Sequence, residues 1–125
     1  MTRNGRARLE PLALVGAGGF AGAVCRYGLA VGLPSSFPLG TLAANVLGTF
    51  LLGILLYEAR LADLLGPETR LVVGTGFCSS FTTYSAFALE TSQLSPELAA
   101  ANVGLNYTLG FGAVLLGQLV ARWLS

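Results

Sequence analysis

Four long apolar runs, separated by short polar or proline-bearing breaks, set the pattern of this chain. They cover residues 11–33, 39–57, 70–92 and 97–122, and each has about the 20 residues a helix needs to cross a bilayer. Pro34-Ser35-Ser36-Phe37-Pro38 divides the first run from the second, one proline ending a helix and the other opening the next. Glu58 to Arg70 is the charged connection, with Gly66-Pro67 expected to break any helix in it. Pro11 and Pro96 stand where the first and fourth helices are expected to begin, since a proline costs no hydrogen bond in a first turn. The pattern predicts an all-α integral membrane protein with four transmembrane helices in a single domain, residues 1–125.

The third run does not read like a lipid-facing helix. It carries no charge from Leu71 to Leu89, yet its centre is Ser79-Ser80-Phe81-Thr82-Thr83-Tyr84-Ser85, crowded with hydroxyls. Polar groups without partners in hydrocarbon cost several kcal/mol each, in rough terms, and irregular backbone persists only against protein or water. The stretch from Gly74 to Glu90 is therefore expected to line something.

Other polar residues fall into patterns of their own. Thr41, Asn45 and Thr49 are spaced four apart and stack on one face of the second helix. That face is either a lined surface or a polar seam between helices, a use that membrane Asn also serves. Arg26 stands inside an otherwise charge-free run, either snorkelling to the interface or facing an aqueous vestibule. Gly18-x-x-x-Gly22 and Gly28-x-x-x-Gly32 are spacings that let another helix approach closely, or are simply permissive glycines. The fourth run holds Asn102, Asn106, Tyr107 and Thr108, and ends at Arg122-Trp123, an aromatic-belt residue beside a basic anchor.

Composition narrows the chemistry. With 54% hydrophobic and 10% charged residues the chain cannot dress a soluble surface, and a net charge of +1 makes no case for nucleic acid. There is no His, and the two cysteines, Cys25 and Cys78, lie in apolar runs, so neither a zinc site nor a disulfide framework is expected. Arg3, Arg6 and Arg8 resemble the front of a signal peptide, but the segment they precede is better read as a first span with a basic flank. The glycines from Gly16 to Gly22 resemble a dinucleotide loop but have no acidic residue about 20 positions on. No nucleophile with a base and an orienting group can be assembled, so the chain is read as no enzyme. The groups left inside the membrane are neutral N–H, O–H and aromatic edges, which point positive ends outward and suit an anion. A passive anion pathway is the expectation that follows.

Three motifs, in order along the chain, resemble the Fluc (CrcB) fluoride channel family. They are Gly19-Phe20-Ala21-Gly22-Ala23-Val24-Cys25-Arg26-Tyr27, then Gly40-Thr41-Leu42-Ala43-Ala44-Asn45, then Gly76-Phe77-Cys78-Ser79-Ser80-Phe81-Thr82-Thr83-Tyr84-Ser85-Ala86-Phe87. The resemblance implies a four-span channel in the cell membrane, passively exporting fluoride, assembled as an antiparallel dual-topology dimer. It implies a third helix broken at its centre, with a structural sodium ion held by the backbone carbonyls of Ser79 and Thr82 from both subunits. By the same carry-over Thr41, Asn45, Tyr84 and Phe87 line the fluoride pore, Tyr107 and Thr108 fall in the pore region of the fourth span, Arg26 sits by a vestibule and Glu90 near an entrance.

This chain departs from the family pattern in two ways. Ser79-Ser80 replaces a glycine pair, which matters only if the backbone there needs a positive φ, and Tyr84 replaces a phenylalanine. Its basic residues are also one-sided: Arg3, Arg6, Arg8, Arg60, Arg70 and Arg122 collect on the face holding both termini, which favours an N-terminus in the cytoplasm. Pairing with an oppositely inserted homologue is therefore an alternative to a homodimer, as is a pore-defective partner subunit. A small multidrug-type exporter would carry a carboxylate inside its first span, whereas Glu10 only flanks it.

Overall fold

The computed structural model describes residues 3–57 and 65–124, all of them helical or in short connections. Glu58, Arg60 and Asp63 of the expected charged connection lie outside the described residues. Helix α1 spans Arg3–Gly32 and α2 spans Leu39–Tyr57. The third segment, α3, covers residues 70–81: Arg70–Cys78 is wound as a π-helix and Ser79–Phe81 continues it as an α-helical turn. Helices α4, Tyr84–Gln93, and α5, Pro96–Leu124, complete the chain. The helices α1, α2 and α5 are each long and apolar enough to cross a membrane.

Three boundaries differ from the sequence expectation. Helix α1 starts eight residues before Pro11, which lies inside it. The amide hydrogen that Pro11 lacks would have met a carbonyl on an exposed stretch of the helix. Residues 65–69 are already helical, so Gly66-Pro67 opens the third segment rather than barring it. Gly66 takes φ +76°, a turn conformation that glycine adopts without strain, directly ahead of the proline. The third difference is the place of the interruption. Ser79 is helical, at φ −64° and ψ −34°, and the chain unwinds at Thr82 (ψ 155°) and Thr83 (φ −153°, ψ 125°). No described residue other than glycine has a positive φ, so Ser79-Ser80 sits in place of glycines without backbone strain.

The unwinding follows from local chemistry. Thr82 Oγ1 donates back to the Cys78 carbonyl at 2.8 Å, and Thr83 Oγ1 accepts the Ala86 N–H at 3.1 Å, capping α4. Threonine hydroxyls that bond nearby backbone compete with helix propagation and favour such caps. The next connection is similar: Ser95 Oγ accepts the Leu98 N–H at 3.4 Å, Pro96 opens α5 and Glu97 lies in its first turn.

Glycine sets how closely the helices approach. The Gly18 and Gly22 faces of α1 press on the backbone of α3, where a Cβ would collide with the carbonyls of Val72 and Phe77. Gly76 answers from the other side, its Cβ position 2.6 Å from the Val15 carbonyl. Gly53 of α2 and Gly117 of α5 form a second close crossing, the Gly53 Cβ position being 2.6 Å from the Val114 carbonyl. Small residues allow this backbone contact in a medium that offers little hydrophobic drive between helices. A Cβ on Gly28 or Gly32 would meet nothing within 4 Å among the described residues. So α1 lies on α3, α2 lies on α5, and the interruption at Thr82–Thr83 is held beside α2.

Candidate anion groove

The polar stripe of α2 turns toward the interruption and α4, and every member has a partner. Thr41 Oγ1 donates to Glu90 Oε1 at 2.9 Å. Asn45 Nδ2 donates to the Thr83 carbonyl at 3.0 Å while its Oδ1 accepts the Thr83 N–H at 2.7 Å. Thr49 Oγ1 donates to the Asn45 carbonyl at 2.6 Å, one turn back. The amide of Asn45 thus satisfies both backbone groups of an unwound residue, which in an apolar medium would be costly to leave unpaired.

Asn45 and Thr49 also line a groove of about 300 Å³, together with Thr82, Thr83, Tyr84, Phe87, Asn106 and Tyr107. One wall is aromatic. Tyr84 and Phe87, three apart on α4, have ring centroids 5.9 Å apart, and Phe87 meets Tyr107 edge-on at 6.3 Å and 77°. Tyr107 leads on to Phe111 at 6.4 Å. Phe87 is buried, while Tyr84 and Tyr107 are exposed along the groove. Aromatic edges carry positive partial charge, so this wall favours a small anion, while the Asn45 amide opposite it donates to the Thr83 carbonyl and to Asn106 Oδ1.

Asn45, Tyr84, Phe87 and Tyr107 are therefore brought together. Thr108 is not: it faces a separate apolar cavity with Val46, Leu47 and Phe50, because a neighbour of Tyr107 points about 100° away around the helix. The polar members of α5 at the groove are instead Asn106 and, behind it, Asn102, four apart on one face. Their spacing from each other was readable in the sequence; their alignment with Asn45 was not.

Thr41 and Glu90 belong to a different cavity of about 420 Å³, lined also by Ser35, Ser36, Gln93 and Leu94. Glu90 Oε2 is buried there without a hydrogen-bond partner. Arg26 is not part of that lining. Its Nε–H donates to the Ser80 carbonyl at 3.1 Å, placing a cation on the carbonyl end of α3, where the helix dipole is negative.

Ser79 and Thr82 share one property. The Thr83 N–H, which a continuing helix would direct at the Ser79 carbonyl, goes to Asn45 Oδ1. The Ala86 N–H, which would serve the Thr82 carbonyl, goes to Thr83 Oγ1. Both carbonyls are thereby relieved of their helical donors.

Apolar helices outside and a line of amides, hydroxyls and ring edges within a groove define a multi-pass membrane protein built around a polar path. The chain matches the family described as CrcB-like protein, Camphor Resistance (CrcB), over residues 13–118, and it belongs to that family. It is 59% identical to the Fluoride-specific ion channel FluC 1 of Natronomonas pharaonis, across 91% of this chain and 96% of that protein. It is 51% identical to the Fluoride-specific ion channel FluC 1 of Haloarcula marismortui, across 91% of this chain and 87% of that protein. With the Fluoride-specific ion channel FluC 2 of Halobacterium salinarum the identity is 49%, across 87% of this chain and 84% of the other.

Proposed function

We propose that this chain forms a fluoride-selective channel that exports fluoride passively across the cell membrane. The observation that carries the reading is the groove, where the Asn45 amide and the ring edges of Phe87 and Tyr107 converge. Its relatives named fluoride-specific channels support the choice of ion. Fluoride is small and strongly hydrated, so a path for it must replace water with several fixed donors, and neutral donors do so without trapping the ion. Hydrogen fluoride enters cells as a neutral acid and dissociates inside, so a selective leak for the anion is protective.

In this reading Asn45, Tyr84, Phe87 and Tyr107 serve the pore at the groove, Arg26 anchors the α3 carbonyl end beside it, and Thr41 and Glu90, in their own cavity, stand near an entrance. The interruption at Thr82–Thr83 corresponds to the broken third span of the family, and the chain pairs as an antiparallel dimer. Sodium is the structural ion, held by the Ser79 and Thr82 carbonyls, whose freedom from helical donors supports the assignment. The ion would neutralise carbonyl ends brought together at the centre of the dimer. A heterodimer with an oppositely inserted homologue is the second reading, favoured by the one-sided arginines.

Fluoride efflux from liposomes carrying the purified protein, with chloride as control, tests the function. Fluoride should leave rapidly and chloride should stay. A folded sample that passes no fluoride, alone or with a homologue, ends the channel reading.

A further inference from the structure

Three amides form one line from the groove into the buried seam between α4 and α5. Asn45 has two amide hydrogens, and one is committed to the Thr83 carbonyl at 3.0 Å. The other has Asn106 Oδ1, at 3.4 Å, long beside the usual ~2.9–3.0 Å of an N–H···O bond. Asn106 itself is held firmly at its far end, where Nδ2 donates to the Asn102 carbonyl at 2.8 Å and to Asn102 Oδ1 at 3.0 Å. Asn102 is only 1% exposed, and its Nδ2 donates to Thr91 Oγ1 at 2.8 Å. Thr91 in turn donates to the Phe87 carbonyl at 2.6 Å.

The polarity of this line is decided at its buried end. Because the Thr91 hydroxyl is spent on Phe87, it can only accept from Asn102, which turns Asn102 Nδ2 toward Thr91 and Oδ1 toward Asn106. Asn106 must then point its N–H groups at Asn102 and its oxygen at Asn45. A pore amide would be expected to offer donors to an anion, yet Asn106 offers an acceptor.

Resting on the channel reading above, we propose that Asn106 Oδ1 acts as a built-in stand-in for fluoride, holding the second N–H of Asn45 between successive ions and yielding it to each ion that arrives. Asn102 and Thr91 are positioning residues that keep the oxygen facing the groove. The exchange favours an anion because a charged acceptor makes a bond about twice as strong as a neutral carbonyl. It also spares Asn45 an unpaired donor in a poorly solvated site. The cost is a lower fluoride affinity, which helps release, since conduction fails if an ion binds too tightly to leave.

The test is Asn106→Ser on the full chain. A serine hydroxyl can bond the Asn102 carbonyl one turn back, so it remains satisfied, but it is too short to reach Asn45. Fluoride binding is titrated calorimetrically on the purified protein, and fluoride efflux is measured from liposomes in parallel. The variant should bind fluoride about fivefold more tightly, as loss of one competing hydrogen bond implies, with a lower maximal flux. Unchanged or weaker binding overturns the proposal, as does an absence of binding in both proteins. Tighter binding with no flux from either protein leaves the exchange standing and counts against the channel. Asn106→Ala replaces the serine variant if the latter does not purify, with the same expectations.

Discussion

Asn45 on α2 clasps Thr83 at the interruption with both ends of its amide, Oδ1 taking the N–H at 2.7 Å and Nδ2 reaching the carbonyl at 3.0 Å. One side chain therefore serves as a surrogate helical neighbour for an unwound residue and as a donor at the groove. Its two roles predict a double effect on substitution. Asn45→Leu should abolish fluoride flux and also lower thermal stability, because two backbone groups lose their partners at about 1–3 kcal/mol each. Unfolding followed by Trp123 fluorescence, alongside efflux, checks both. Loss of flux at unchanged stability would mean that water or a partner chain serves Thr83 instead.

The aromatic wall makes a contrast between its two α4 members. Phe87 is buried and meets Tyr107 edge-on, so Phe87→Ile removes a ring edge that has no substitute. Flux should fall about tenfold, equivalent to ~1.4 kcal/mol. Tyr84→Phe removes only a hydroxyl and should conduct at close to the parent rate. A large loss in Tyr84→Phe would assign the hydroxyl itself to the ion.

Close helix approach is confined to particular glycines. Gly76→Ala would drive a methyl group to 2.6 Å from the Val15 carbonyl, and should destabilise the protein by about 1–3 kcal/mol. Gly28→Ala meets nothing among the described residues and should fall within about 0.5 kcal/mol of the parent. Equal losses in both would place Gly28 against a second chain.

The sodium site proposed at the Ser79 and Thr82 carbonyls predicts that stability depends on the cation present. Exchange of sodium for a bulky organic cation during purification should lower the thermal midpoint, as loss of any ligand that binds only the folded protein does. Potassium should restore less of it than sodium. A midpoint independent of cation identity would remove sodium from the assembly.

Orientation is the property on which homodimer and heterodimer part. The span pattern of the sequence assigns Arg3, Arg6, Arg8, Arg60, Arg70 and Arg122 to the side expected to hold the termini. Compartment-sensitive reporters on each end, in cells without a homologue, should report the N-terminus in the cytoplasm. Equal populations of both orientations would make the homodimer sufficient.

Much of this architecture was written in local pattern. Charge-free runs of spanning length, the prolines between them and the four-residue spacing of Thr41, Asn45 and Thr49 are read directly, because burial in lipid and helical periodicity act on neighbours along the chain. The hydroxyl cluster marked a stretch that lines something, while a break within it was implied only by the family resemblance. Where the unwinding falls was another matter. The resemblance implied a break over Ser79 to Thr82; Ser79–Phe81 stay helical and the break falls at Thr82–Thr83, where Asn45 supplies partners for Thr83 from another helix. The register of α5 was equally a matter of packing: Gly53 against Val114 and Gly117 against Phe50 set how far it slides along α2. That setting put Asn106 and Tyr107 at the groove and turned Thr108 away from it. The apolar helical runs, the polar face of α2 and the family motifs were legible in the chain, all properties of neighbouring residues, and three of the four runs are helices long and apolar enough to cross a membrane. The tertiary structure alone decided which amide meets which backbone group, because a hydrogen bond between helices depends on distances that no single segment contains.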